Sequence, residues 1–538
     1  MTAVARTTAL PSHRGGARPL AGTGTLVRLA LRRDRLMLPI WVVVIGAMVV
    51  SGVGSLQTLY DTAAKRTQLA ESMSANSSLR SLYGPVFDDS IGGLVAWRFA
   101  TFAAVLAAVM SLIIVVRHTR EEEETGRQEL ISSAMVGRRA PLTAALLTAV
   151  IANTSVALLI TAGLSGQGSA GALALGLAVG GTGVLFATTA AIVAQLTESA
   201  RPAKGMTAGV LGLAFVLRAA GDASTVDGSS VLTWLSPIGW AENVRAFGGE
   251  RWWVILLIAA AGGVQGVIAY TLAGRRDVGM SFLPTRPGPT EGKLTTAGGL
   301  AWRLQRGTLL GWAGGFLLAG IVFGGMASGA ADMVGDNEQA KEIFQRMGGQ
   351  SALTDAFLAA MVGMFGLIAA LYAVGSVLRM HGEETSQRAE PVLANAVGRT
   401  AWAAGHLAVA FGGTVLIMLL AGAGLALGHG GDLPAITGAA LAQVPAVWTL
   451  AGVALLLYGA VPRAAAAGWA VAGLCLALGW VGPALDLPRA VLDLSPFGHL
   501  PRLPGPRMDW PPVLLLTALA VALVAAGLAA FRRRDLQT

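Results

Sequence analysis

Four consecutive glutamates, Glu121–Glu124, stand near the start of a charged stretch, REEEETGRQELISSAMVGRR, that runs from Arg120 to Arg139 between two long apolar runs. Their spacing suits ion pairing on a helix: Arg117 with Glu121, Arg120 with Glu124 and Glu123 with Arg127 lie four apart. Thr119 and Glu122 have the spacing of a capping box. The acids come early, Arg138 and Arg139 come late, and Gly137 can end the helix, all in line with the helix dipole. Leu130, Ile131, Ala134 and Met135 supply an apolar side. The spacing therefore predicts a short amphipathic helix over 117–140. Its chemistry is recognition by charge: Glu121, Glu122, Glu123, Glu124, Arg127, Glu129 and Arg138 form a surface that a basic partner can read. Acids contribute little to membrane topology, so an orientation-setting loop would not need five of them. The pattern returns as MHGEETSQRAEPVLANAVGR, Met380 to Arg399, with Glu383, Glu384, Arg388, Glu390 and Arg399 in the matching places. Two acidic patches suggest two docking points for one partner used twice.

Other reactive residue types lead less far. Asp88 and Asp89 in FDDS could serve as the metal and base carboxylates of a membrane glycosyltransferase; the simpler reading is capping of the next helix. PGPTEGKL resembles a phosphate loop, but three residues rather than four separate Gly288 from Gly292. Leu294, not Ser or Thr, follows Lys293, and no strand precedes it. Cys475 is the only cysteine, which excludes an intramolecular disulfide and a cysteine metal cluster. His406, near one end of the ninth apolar run, reads as a packing or interfacial residue. Asn153, Gln195, Gln265 and Gln443 are amides inside apolar runs, where such groups more often join helices than bind cargo.

The elements that must hold these residues are membrane helices. Of 538 residues, 54% are hydrophobic and 13% charged, too few charges to coat soluble domains. Apolar runs long enough to cross a bilayer fall at 36–56, 99–116, 141–164, 170–196, 204–220 and 252–273, then at 309–327, 353–378, 401–427, 436–460, 464–483 and 511–530. Alternation of period two is absent, which argues against a β-barrel. With the N-terminus inside, 27 of the 39 Lys and Arg fall on the cytoplasmic side, so the positive-inside rule places both termini in the cytoplasm. The net charge of +9 belongs to these flanks rather than to nucleic-acid binding. Residues 1–35 read as a basic cytoplasmic tail and an interfacial helix with Arg28, Arg32 and Arg35 on one face; they lack the apolar core of a cleavable signal peptide.

Sequence motifs recur at an offset near 260. LSPIGW (Leu235–Trp240) returns as LSPFGH (Leu494–His499), GRRDV as RRRDL, and MVGRRA as AVGRTA. The expected fold is thus all-α and polytopic: about twelve transmembrane helices in two tandem six-helix repeats, 36–273 and 309–531, related by a pseudo-twofold along the membrane normal. A proline- and glycine-rich cytoplasmic linker, 274–308, would join them, and 532–538 would form a basic C-terminus.

The order of acids, Gly-Arg, Glu-Leu, a small apolar run and a second Gly-Arg resembles the type-2 ABC-exporter permeases. The fused duplication, LSPxG and GRRD are similar to the branch exporting polyketide antibiotics of the tetronasin type. The resemblance spans nearly the whole chain. It implies a non-enzymatic transport subunit of a bacterial plasma membrane that exports hydrophobic or amphiphilic small molecules such as antibiotics and drugs. It also implies two copies of a separately encoded ATPase, with ATP and Mg on that partner and no cofactor on this chain. The residues carried over as docking points are Glu122, Glu123, Arg127, Glu129, Gly137 and Arg138, and in the second half Glu383, Glu384, Arg388, Glu390, Gly398 and Arg399. The second copy departs from the first at Thr385, Gln387 and Pro391, which puts the equality of the two points in doubt. A proton-coupled antiporter is the main rival. It would need ionisable groups inside the membrane, and the runs above hold few.

Overall fold

The computed structural model describes residues 19–128, 136–277, 279–283, 294–332, 349–480, 488–505 and 508–535. Among the described residues the regular structure is helical, and twelve helices have the length and apolarity to cross a bilayer. The chain divides into two units, Met1–Pro287 and Gly288–Thr538, with six crossing helices in each.

The first unit opens with α1 (Thr23–Arg33), whose Arg28 and Arg32 are exposed while Ala30 is buried. Asp34 ends it. That carboxylate is buried and lies 3.2 Å from Arg117 and 2.6 Å from His118, which ties α1 to the end of a crossing helix. The crossing helices are α2 (Met37–Leu59), α3 (Ile91–Arg117, prolonged by the one-turn α4, Arg120–Glu124), α5 (Ala140–Leu164), α6 (Ser169–Leu196) and α7 (Ala200–Ser224). After the short α8 (Pro237–Asn243), α9 (Trp252–Arg275) completes the unit. The helices α3 and α6 are apolar on all sides and form its centre. By contrast α9 leaves Leu256, Val264 and Val267 exposed, as a lipid-facing helix does.

The second unit runs through α10 (Ala297–Asp332), α11 (Gly349–Thr385), α12 (Arg399–His429), a broken crossing helix made of α13 (Leu433–Leu441) and α14 (Val444–Ala460), then α15 (Ala467–Trp480) and α16 (Trp510–Arg533). The closest helix pair is α10 with α12. Gly320 and Gly324 on one face Gly424 and Gly428 on the other, and a Cβ added at Gly324 or Gly428 would run into the partner's backbone carbonyls. Small residues spaced by four are what lets membrane helices approach this closely.

Two expectations about local structure change. The helix α10 begins at Ala297, so residues expected as linker up to 308 are already helical. Arg303 and Arg306 stop an apolar run but do not interrupt backbone hydrogen bonding. The capping box at Thr119 does not form: its hydroxyl donates to the Val115 carbonyl and caps nothing. The reason is that α4 continues directly from the preceding crossing helix, so there is no free helix start to cap. The first helical turn ends before Gly126, φ 70°, and Arg127 and Gln128 are helical again; residues 129–135, which lead to the helix end expected at Gly137, lie outside the described residues.

Candidate functional site

At one end of the first unit the acidic run is almost entirely engaged by the protein itself. Glu121 pairs with Lys204 and Glu122 with Arg33, with Arg127 3.7 Å away. Glu124 accepts a hydrogen bond from the Ala200 backbone N–H at 3.1 Å, placing negative charge on the N-terminus of α7. Glu123 is the centre. It lies 2.7 Å from Arg120 and grips Arg276 in a two-pronged pair of 2.6 and 2.9 Å. Arg138 then donates to the Arg276 carbonyl at 2.8 Å. The i,i+4 pairs expected within the run do not form: its own arginines meet Glu123 and Glu122 at other spacings, and the remaining partners come from other segments. A single helical turn, with neighbours on several sides, places the carboxylates nearer to those neighbours' cations than to its own.

The second unit repeats this arrangement at the equivalent residues. Glu384 grips Arg534 with two contacts of 2.6 Å, and Arg399 donates to the Arg534 carbonyl at 2.6 Å. Tyr458 donates to Glu384 at 2.6 Å, and the Arg534 guanidinium lies 4.9 Å from the Tyr458 ring. Glu383 pairs with Arg379 at 2.5 Å. A Glu–Arg fork of this kind is the strong, directional form of the ion pair. In each unit it fastens the last turn of the second crossing helix, α4 prolonging α3 in the first and α11 in the second, to the end of the sixth. The sequence held both halves of the clamp, the acid run and the Arg-Arg-Asp ending, without indicating that they meet. The turn residues also match: Gly126 at φ 70° and Gln387 at φ 57° share the left-handed region.

What remains outward at this end is a small polar surface. Glu124, Arg127 and Arg138 are exposed in the first unit, and Arg388 and Glu390 in the second. Gly137 is buried, its N–H bonded to the Ala21 carbonyl, and Gly398 precedes α12 in extended conformation. Glu129 and the apolar residues Leu130, Ile131, Ala134 and Met135 lie outside the described residues, as does PGPTEGK.

At the opposite end, the first unit buries a charge network that the sequence analysis missed. The Nη1 of Arg218 lies 3.3 Å from Asp222 and 3.1 Å from Glu242, and all three are buried. Thr101 donates to Glu242, and Thr233 donates to Asp222 at 2.8 Å. Arg80 is buried beside them and donates to the carbonyls of Ser74, Asp222 and Ala223. Burial pushes the Glu242 carboxyl well above the usual carboxylate range; Arg218 opposes this and the neighbouring Asp222 adds to it. The available signal was the i,i+4 spacing of Arg218 and Asp222. It was hidden because the apolar run was ended at residue 220, whereas α7 continues to Ser224.

The remaining candidates are structural. Ser90 caps α3 through Gly93 N–H, with Asp88 holding Ser90, and Asp89 accepts from Thr67 at 2.5 Å. No group of acids, histidines and cysteines fit to hold a metal occurs among the described residues. His406 is buried, 3.0 Å from Gln305 and packed on Trp402. Asn153 donates to Ser111 at 2.7 Å, Gln265 accepts from Thr188 and Thr189, and Gln195 accepts from Arg276 at 2.7 Å, so these three amides join helices.

Twelve crossing helices define a multi-pass α-helical membrane protein. Residues 294–532 match the family described as the C-terminal domain of the multidrug efflux system permease Rv1217c. The multidrug efflux system permease protein Rv1217c of Mycobacterium tuberculosis (strain ATCC 25618 / H37Rv) is 43% identical over 537 residues, covering 98% of this chain and 97% of that protein. The chain therefore belongs to the family of multidrug efflux system permeases to which Rv1217c belongs.

Proposed function

We propose that this chain is the membrane subunit of an ATP-driven exporter of hydrophobic or amphiphilic small molecules, of the type-2 ABC class and its polyketide-exporting branch. A separately encoded ATPase, used in two copies, supplies the energy and holds the ATP and Mg. The chain lies in a bacterial plasma membrane with both termini and the acid segments in the cytoplasm. The observation that carries this reading is the clamp repeated in both units, Glu123–Arg276 with Arg138 and Glu384–Arg534 with Arg399. A segment that only set orientation would not need a rigid bond to the end of the sixth helix. A segment that receives a push from a partner does, because the bond makes the turn and the helix move together. In this reading the partner meets the exposed turn around Glu124, Arg127, Arg388 and Glu390, and the inner glutamates transmit rather than advertise charge.

The buried Arg218–Asp222–Glu242 network favours one rival, proton-coupled antiport, since ionisable groups inside a membrane protein are the usual carriers of coupled protons. Its place at one end of one unit, with no charged equivalent at the matching residues of the other, fits a structural pin better than a relay. Efflux measured with ATP held constant and the proton gradient collapsed separates the two. Persistence of efflux supports the ATP-driven exporter, and its loss supports the antiporter.

A further inference from the structure

Three of the four amides inside apolar runs are hydrogen-bonded to neighbouring helices, although the Oδ1 of Asn153 stays unpaired, and Gln443 is the one whose side chain makes no hydrogen bond among the described residues. It sits where one crossing helix is broken, between α13 and α14, and as the residue before α14 it caps nothing with its side chain. Pro445 follows in the first turn of α14 and has no N–H to offer. Gln443 is 5% exposed, and its amide has no hydrogen-bond partner among the described residues. A backbone break at membrane depth is tolerated where it is buried in protein or lines a cavity. Here it lines a cavity of about 900 Å³ at the end of the second unit remote from Glu383 and Glu384.

A second unsatisfied group faces the same space. Ser495 is 3% exposed and its Oγ has no hydrogen-bond partner; the thiol of Cys475, a weak donor, is its polar neighbour. The repeat provides the comparison. Ser236 holds the equivalent place in the first LSPxG motif, and there the hydroxyl donates to Ala214 and accepts from the N–H groups of Ile238 and Gly239. The crossing helix equivalent to α13 and α14 in the first unit is α6, which runs unbroken. The same motif is thus closed in one unit and open in the other.

Met361, Met364, Leu367 and Phe497 provide apolar walls, and methionine adapts to varied shapes. Asp355 and Arg502 also line the cavity; their opposite signs leave no net charge to select an ion. The volume is that of a drug-sized pocket, apolar with a few convergent polar groups. We propose that this cavity binds an uncharged amphiphile, an apolar body bearing a hydroxyl or carbonyl, with Gln443 and Ser495 as its hydrogen-bonding partners. Each side chain can both donate and accept. That the occupant is export cargo rests on the function proposed above; that the site binds it does not.

The test uses the full chain in membrane vesicles, with Cys475→Ala as background and a single cysteine placed by Met361→Cys, Met364→Cys or, as a control outside the cavity, Leu433→Cys. Labelling by an uncharged maleimide is timed with and without Nile red, an uncharged carbonyl-bearing dye. The expected result is labelling slowed about tenfold at 361 and 364, no change at 433, and relief of protection when Gln443→Leu or Ser495→Ala is added. Equal rates with and without the dye, equal slowing at all three positions, or protection that survives Gln443→Leu would overturn the proposal. Export of the dye by cells is scored separately. Protection without export keeps the site and removes the cargo role, whereas export without protection removes the site.

Discussion

Glu123 and Glu384 differ from the acids around them because each holds one arginine with both oxygens and is nearly buried. Removing one partner of a buried pair leaves the other uncompensated, which costs about 3 kcal/mol. Glu384→Gln should therefore lower the thermal stability of the second unit and loosen α16, read as faster amide exchange near Phe531; Glu390→Gln, on an exposed residue, should change neither. Glu242 gives a pH prediction. Its folded-state affinity for a proton is raised by burial, so the folded protein keeps a proton that the unfolded chain releases above the ordinary carboxylate value of 4.5. The associated stability is present at low pH and is lost as pH rises through the folded-state value. Glu242→Gln should make the melting temperature fall less between pH 5 and pH 8 than it does in the parent chain. Equal falls in the two proteins would contradict the assignment.

Turns and helix contacts show what could be read in advance. Helix number and approximate span positions followed from apolar runs, because a bilayer imposes a length on every crossing helix. Short motifs recur in the two units, and three of the four buried amides serve as helix joints, as amides in apolar runs usually do. The clamp was not legible, because Glu123 and Arg276 are far apart in sequence and only the fold brings them to 2.6 Å. The Arg218 network was missed for another reason: the apolar run was ended at residue 220, short of Asp222, while the helix runs on to Ser224. Gln387 in place of Gly126 looked like a departure between the copies, yet the backbone is left-handed at both. Gln387→Gly should accordingly stabilise the protein by about 1 kcal/mol without altering transport, measured as a shift in melting temperature. Between α10 and α12 the opposite holds. Gly324→Leu should destabilise the second unit by about 1–3 kcal/mol through overpacking, seen as loss of a monodisperse species in detergent.

At the scale of the molecule, the central claim is that ATP hydrolysis on a partner drives export through two equivalent clamps. The clamps are fixed to the ends of α9 and α16, the sixth crossing helix of each unit, so breaking either should uncouple hydrolysis from transport without removing the partner. The direct measurement is dye transport by inverted vesicles that contain the chain and its ATPase, supplied with ATP and with the proton gradient dissipated. The account predicts that the parent chain transports under these conditions. Glu123→Gln and Glu384→Gln should each reduce transport about tenfold while the ATPase still co-purifies and hydrolyses ATP. Transport that vanishes when the gradient is dissipated, or that proceeds at the parental rate in both variants, would contradict it.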